Sequence, residues 1–206
     1  MNVKVKICGI TRLEDAQVAI ENGVDALGFI FYKKSKRYIE PNKVKEIIKN
    51  IPPFISKVGV FVNEDINDIK RIGKELKLDI LQLHGEESVE YLKELEKGFT
   101  VVKAFRIKDI RELEKIKDYK IKWFLLDTYS SKEYGGTGEK FNWEIVKEAK
   151  KYGKVILAGG LNSENIKLAI DELKPYGVDI SSGVEIDKGI KDRKKIIDIM
   201  RIIKDD

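Results

Sequence analysis

KVKICGITRLEDAQVAIENG, residues 4–23, reads as one strand feeding one helix. Side chains alternate along a strand, so Val3, Val5 and Ile7 share one face while Lys4, Lys6 and Cys8 share the other. Thr11 and Glu14 then stand at the spacing of a capping box. Leu13, Ala16, Ala19 and Ile20 make an apolar stripe, and Gly23 suits the position just past a helix end.

The same unit recurs along the chain. β-branched or apolar runs at 3–8, 25–31, 56–62, 79–83, 100–105, 122–127, 154–158 and 177–181 are each rich enough for a buried parallel strand. Between them lie amphipathic stretches. Asp65 precedes Ile66, Ile69, Ile72 and Leu76; Ile166, Ala169, Ile170 and Leu173 run up to Pro175; Ile196, Ile197, Met200 and Ile203 mark the last helix. An open doubly wound sheet also uses βα units. Eight strands and a closing helix favour a (β/α)8 barrel. The chain of 206 residues shows no linker or composition break, so one catalytic barrel domain over 1–206 is expected. It is shorter than the ~250 residues usual for this fold, so its loops are lean.

The charged fraction is 36%, with 40 basic and 35 acidic residues and a formal net charge of +5. Lys, Glu and Ile are abundant, a balance found in proteins from hot environments. The lysines are spread over the chain beside glutamates, as in Lys45-Glu46 and Lys93-Glu94, with no basic stripe interleaved with aromatics. That pattern speaks against a nucleic-acid partner. One cysteine makes no intrachain disulfide and fits a reducing compartment. The opening residues lack a signal-peptide pattern, and no apolar run approaches ~18 residues, so a cytoplasmic protein without membrane attachment is expected.

In this architecture chemistry sits at the carboxyl ends of the strands. If the apolar face of the first strand meets the helices, Lys6 and Cys8 point into the barrel. A lysine one layer below a thiol favours thiolate; the other reading of Cys8 is a small buried apolar residue. The sixth strand ends in Asp127, either a general acid or base at the barrel mouth or a loop-bracing carboxylate. Glycine turns follow the seventh and eighth strands, Gly159-Gly160 and Ser182-Gly183. Those are the loops with which barrels commonly bind phosphate, because backbone N–H groups approach an anion closely there. His84, the only histidine, ends the fourth strand. Alone it makes no His-rich metal site, so no metal is expected and a substrate-orienting or structural role is. Arg37, beyond the second strand, is a candidate for holding a carboxylate or phosphate bidentately. Gly135-Gly136-Thr137-Gly138 reads as a loop able to fold over a ligand.

An ordered set of segments carries a resemblance: KICGIT at 6–11, GFIF at 28–31, SKR at 35–37, GVFVN at 59–63, QLHG at 82–85, LLDT at 125–128, GGTGEKFNW at 135–143, LAGGL at 157–161 and DISSGVE at 179–185. Together they resemble the phosphoribosylanthranilate isomerases of tryptophan biosynthesis over nearly the whole chain. The family often has Ser-Pro-Arg where this chain has Ser35-Lys36-Arg37, and FDW where it has Phe141-Asn142-Trp143. The resemblance implies a cofactor-free Amadori rearrangement of a small phosphorylated substrate. It makes Cys8 the general base and Asp127 the general acid, the latter protonated through partial burial. Arg37 would hold the anthranilate carboxylate, and Gly159, Gly160, Ser182 and Gly183 the phosphate. His84 would orient substrate, and Asp179, inward on the eighth strand, would pair with Lys6 or contact substrate. A monomer and a homodimer both fit. Rival readings are a ribulose-phosphate epimerase, whose metal needs more than one histidine, a histidine-pathway isomerase, which lacks the cysteine, and a barrel that only binds a phosphorylated ligand.

Overall fold

Strand β1 (Lys4–Cys8) lies between β2 (Ala26–Ile30) and β8 (Gly177–Ile180), and that pairing closes the sheet. The structure, a computed structural model, describes residues 3–107, 109–127 and 143–204. The remaining barrel strands are β3 (Ser56–Phe61), β4 (Ile80–Leu83), β5 (Thr100–Arg106), β6 (Trp123–Asp127) and β7 (Lys154–Ala158), all parallel and in sequential order around the barrel. Helices α1 (Leu13–Glu21), α2 (Pro41–Ile48), α3 (Ile66–Glu75), α4 (Val89–Glu96), α5 (Glu114–Tyr119), α6 (Trp143–Ala149), α7 (Ile166–Leu173) and α8 (Arg193–Lys204) follow the strands in turn. A short hairpin, β9 (Glu185–Asp187) and β10 (Ile190–Lys191), is inserted between β8 and α8. The barrel expected from the sequence is therefore the observed fold, and each strand end lies within one residue of its expected place.

Local chemistry accounts for several helix ends. Asp65 caps α3 by accepting from the backbone N–H groups of Asn67 and Asp68, and Ser88 caps α4 through Tyr91 N. Gly23 closes α1 with φ +79°. The expected capping box at Thr11 and Glu14 does not form. The helix begins one residue later, with Arg12 as its cap and Asp15 as its third residue. The Arg12 guanidinium donates to Asp15 at 3.0 and 2.6 Å, while the Thr11 hydroxyl donates to the Gly189 carbonyl of the β9–β10 hairpin. On α8 the buried stripe is Ile196, Ile199, Met200 and Ile203; Ile197, expected on it, lies at its edge.

The main core lies between sheet and helices, where Ile7, Leu27, Phe29, Phe61, Leu81 and Phe124 are fully or almost fully buried. Each such side chain contributes about 1.5–3 kcal/mol through burial. A second, smaller cluster fills the barrel interior with Val102, Ala104, Leu125 and Ala158. Strands β5 to β7 thus send Val102, Ala104, Leu125 and Ala158 into the interior, and the buried Lys103 of β5 lies on the other face of its strand. On β1, β4 and β8 the buried polar residues are Lys6, Gln82 and Asp179. This asymmetry positions the site. A cavity of about 270 Å³ at the amino ends of the strands is lined by Phe54, Val58, Val102, Leu125 and Ile156 among others; it reaches the undersides of Lys6 and Gln82 but not Cys8, Arg37, His84, Asp127 or Asp179. No helix among the described residues is long and apolar enough to cross a membrane.

Candidate active site

Because the strands are parallel, Cys8, His84 and Asp127 all end at one mouth of the barrel. The parity argument for β1 holds. Lys6 Nζ donates to Asp179 Oδ2 at 2.8 Å and to Gln82 Oε1 at 2.9 Å, which crosses the interior from β1 to β8 and β4. Both charged side chains are nearly closed to solvent, at 10% and 8% exposure. Asp179 Oδ1 is buried with no hydrogen-bond partner among the described residues. A buried carboxylate oxygen is costly to leave unpaired, so that atom is a natural acceptor for a ligand hydroxyl.

Cys8 sits one layer above Lys6 and is 6% exposed. Gly28, its partner on β2, makes the space: a Cβ there would lie 2.8 Å from Cys8 Sγ and 2.9 Å from Lys6 Cε. Lys6 favours the thiolate as expected, but burial outweighs it. Burial pushes the Cys8 thiol above its ordinary value; Lys6 and Lys191 pull it down, and Asp179 pushes it up again. The lysine is paired with the Asp179 carboxylate, whose charge opposes its effect at the sulfur.

Gly9 follows with φ +76°, and its N–H and that of Ile10 both donate to the Gly28 carbonyl. A side chain at Gly9 would meet Arg37 Cδ at 2.7 Å, so the arginine stem packs directly over the residue after Cys8. The Arg37 guanidinium donates from Nε and Nη2 to Glu185 at 2.7 and 2.6 Å. Its bidentate partner within the protein is thus Glu185. Lys191, with its side chain closed to solvent, donates to Glu185 Oε1 at 2.9 Å, to the Cys8 carbonyl at 2.6 Å and to the Ser181 carbonyl at 3.2 Å.

Across the mouth, His84 Nε2 lies 3.4 Å from Asp127 Oδ2, and Arg106 Nε lies 3.7 Å from the same oxygen. The Asp127 side chain is 17% exposed. His84 is held from below, since a buried pair grips its turn: Lys103 Nζ donates to the Gly85 carbonyl, and Glu87 accepts from Gly85 N and Asn63 N. Lys103 and Glu87 themselves meet at 3.2 Å.

The two glycine turns come together. Gly159 and Gly160 have φ of +102° and +65°, and Asn165 braces the turn by donating to the Gly160 carbonyl at 3.0 Å. A Cβ on Gly183 would fall 1.9 Å from the Leu161 carbonyl oxygen, so only glycine lets the loop after β8 lie against the loop after β7. Among the described residues no cluster of His, Cys, Asp and Glu could hold a metal ion. The loop 135–138 and residues 128 and 139–142 of the quoted segments lie outside the described residues. Glu185, Lys191 and Gln82 were missed as site residues. Glu185 stood inside a quoted segment, but Lys191 was one of 40 basic residues with nothing local to distinguish it.

A closed parallel barrel with a buried thiol, a carboxylate and paired glycine turns at the carboxyl ends of its strands defines the class of barrel enzymes that act on small anionic substrates. Residues 5–201 match the model of the family described as N-(5'-phosphoribosyl)anthranilate (PRA) isomerase. The N-(5'-phosphoribosyl)anthranilate isomerase of Geotalea uraniireducens is 50% identical over 198 residues, 96% of this chain and 97% of that protein. The crystal structure of phosphoribosyl anthranilate isomerase from Thermotoga maritima superposes with a TM-score of 0.92 at 43% identity, covering 98% and 99% of the two chains. A second structure of a phosphoribosyl anthranilate isomerase, in complex with reduced 1-(o-carboxyphenylamino)-1-deoxyribulose 5-phosphate, aligns with a TM-score of 0.90 at 40% identity over 98% and 99%. The chain belongs to the N-(5'-phosphoribosyl)anthranilate isomerase family.

Proposed function

We propose that this chain catalyses the Amadori rearrangement of N-(5-phosphoribosyl)anthranilate to 1-(2-carboxyphenylamino)-1-deoxyribulose 5-phosphate, with Asp127 as general acid and Cys8 as general base. One observation carries the reading: the sole cysteine and an apolar strand's terminal carboxylate end different strands at the same mouth of one barrel.

Asp127 protonates the ring oxygen as the C1–O bond breaks and the anilino nitrogen lone pair forms the C1=N bond. His84, 3.4 Å away, orients that carboxyl group. Cys8 removes the C2 proton, and the C2–H electron pair becomes the C1=C2 bond of the enolamine while nitrogen regains its lone pair. The enol proton leaves oxygen and C1 gains one, giving the ketone. Over a cycle the proton donated by Asp127 balances the one taken by Cys8, so the reaction is an isomerisation without a cofactor. The cationic C1=N group lies next to the C2 proton being removed. Its charge favours thiolate at the moment the base is needed, and that offsets the burial that holds the free thiol protonated.

Asp179 Oδ1 is the proposed acceptor for a sugar hydroxyl, Arg37 the clamp for the anthranilate carboxylate, and the turns at Gly159-Gly160 and Ser182-Gly183 the phosphate site. The test is loss of anthranilate-type fluorescence as phosphoribosylanthranilate is consumed, in wild type, Cys8→Ala and Asp127→Asn. Each substitution is expected to lower kcat by about 10²–10⁴-fold, the usual contribution of a positioned acid or base. Undiminished turnover in either variant refutes its role. A stable substrate adduct on Cys8, seen by mass spectrometry, refutes proton abstraction in favour of covalent attack.

A further inference from the structure

The β9–β10 hairpin carries a charge cluster that the acid–base scheme does not use. Glu185 is 5% exposed and accepts four hydrogen bonds: from Arg37 Nε and Nη2, from Lys191 Nζ, and from Gly189 N at 3.2 Å. Arginine has five N–H donors and two forked edges. Glu185 occupies the side edge formed by Nε and Nη2. On the end edge, formed by Nη1 and Nη2, Nη2 shares one of its two hydrogens with Glu185 while Nη1 has no hydrogen-bond partner among the described residues, and the Arg37 side chain is 23% exposed. A carboxylate so close to a binding arginine would ordinarily cancel its charge. Here Lys191, closed to solvent, sits 2.9 Å from the same Glu185 oxygen and offsets it. Two cations against one anion leave one positive charge, displayed at the outer edge of Arg37.

We infer that Glu185 is a positioning residue that aims the end edge of Arg37 at the aryl carboxylate of the substrate, and that Lys191 preserves the arginine's charge for that ligand. Selectivity for a substrate with a carboxyl group on its ring thus comes from a buried pair on the hairpin as well as from Arg37. The inference rests on the proposed reading of Arg37. The hairpin is tied to the rest of the mouth independently: the Thr11 hydroxyl donates to Gly189 O, Lys191 N donates to Asp15, and Lys191 Nζ reaches the Cys8 carbonyl. Glu185 is therefore held against β1 and α1, and Arg37 takes its direction from it.

The probes are the reduced product analogue, 1-(2-carboxyphenylamino)-1-deoxyribulose 5-phosphate in reduced form, and its counterpart lacking the ring carboxyl group. Both keep the phosphate, so their affinity ratio isolates the carboxylate site. Wild type is expected to prefer the carboxylated probe by about 10–100-fold, the worth of one charge-assisted bidentate contact. Glu185→Gln and Lys191→Met are each expected to reduce that ratio at least about fivefold, and Glu185→Asp, which keeps charge but shortens reach, to reduce it in the same sense. Glu185→Gln should weaken the carboxylated probe while binding of the other stays within about twofold. Equal weakening of both probes in Glu185→Gln and Glu185→Asp means a merely structural role and overturns the inference, as does an unchanged ratio. Should Glu185→Gln fail to fold, Glu185→Asp alone decides between these outcomes. A wild type with no preference, or an Arg37→Met variant that retains it, refutes the Arg37 reading itself, a result distinct from failure at Glu185.

Discussion

Two glycines on neighbouring strands allow one substitution to be read against another. Gly28→Ala places a methyl carbon 2.8 Å from Cys8 Sγ, 2.9 Å from Lys6 Cε and 3.1 Å from Cys8 Cα. Ordinary contacts need ~3.5–4.0 Å, so the neighbours must give by about 1 Å, and one of them is backbone. Overpacking of this kind costs about 1–3 kcal/mol. At roughly 2–4 °C per kcal/mol for a chain of this size, Tm falls by about 2–12 °C. Because the displaced atom is the proposed base, a shift near 1 Å should also lower kcat by about 10²-fold. Gly59→Ala is the comparator. Its methyl would meet Leu78 Cδ1 at 2.5 Å, Phe61 Cε2 at 2.9 Å and Phe31 Cε2 at 3.2 Å, all on the helix side of the sheet. It should lower Tm by a similar amount and leave kcat within about threefold, since its strain stays outside the barrel. Thermal melting and steady-state turnover on both variants give the answer. If both substitutions lower kcat equally, or if Gly28→Ala leaves it intact, the placement of Cys8 against Gly28 is not what the chemistry depends on.

The remaining predictions concern buried charge. Alkylation of Cys8 by iodoacetamide requires thiolate, so in the ligand-free protein its rate should stay low at neutral pH and rise only above the ordinary thiol range, because burial raises the pKa. Asp179→Asn should move that midpoint down and Lys6→Met should move it up, since one removes a charge that opposes thiolate and the other a charge that favours it; coincident midpoints in the two variants would contradict the assigned causes. Lys103→Met leaves Glu87 buried without its cation and should cost about 3–5 kcal/mol in urea unfolding. Adding Glu87→Gln should recover at least ~1 kcal/mol of coupling, and strictly additive losses would show that the 3.2 Å pair is not an interacting unit.

The barrel was legible in the chain because its signals are local. Each strand is a short apolar run, each helix an amphipathic period, and parity along residues 3–8 is enough to turn Cys8 and Lys6 inward. Asp127, His84 and the glycine turns were legible for a related reason: in a parallel barrel the end of every strand is a functional address, so sequence position translates into spatial position. Glu185 and Lys191 were not legible. The importance of Glu185 depends on Arg37, 148 positions away, and that of Lys191 on the Cys8 carbonyl, 183 away. The start of the first helix was misplaced by one residue because Thr11 found a partner on the distant hairpin instead of its own backbone. The balance between the two readings of the thiol was not legible either. A lysine two residues from a cysteine looks activating along the chain, but whether its charge reaches the sulfur depends on Asp179, delivered by barrel closure, and on the depth of burial. Sequence by itself determined the fold and that Cys8, His84, Asp127 and the glycine turns stand at the mouth, since both follow from short-range pattern. Only tertiary structure decided what charge each of them meets there, because electrostatic partners are chosen by distance through space.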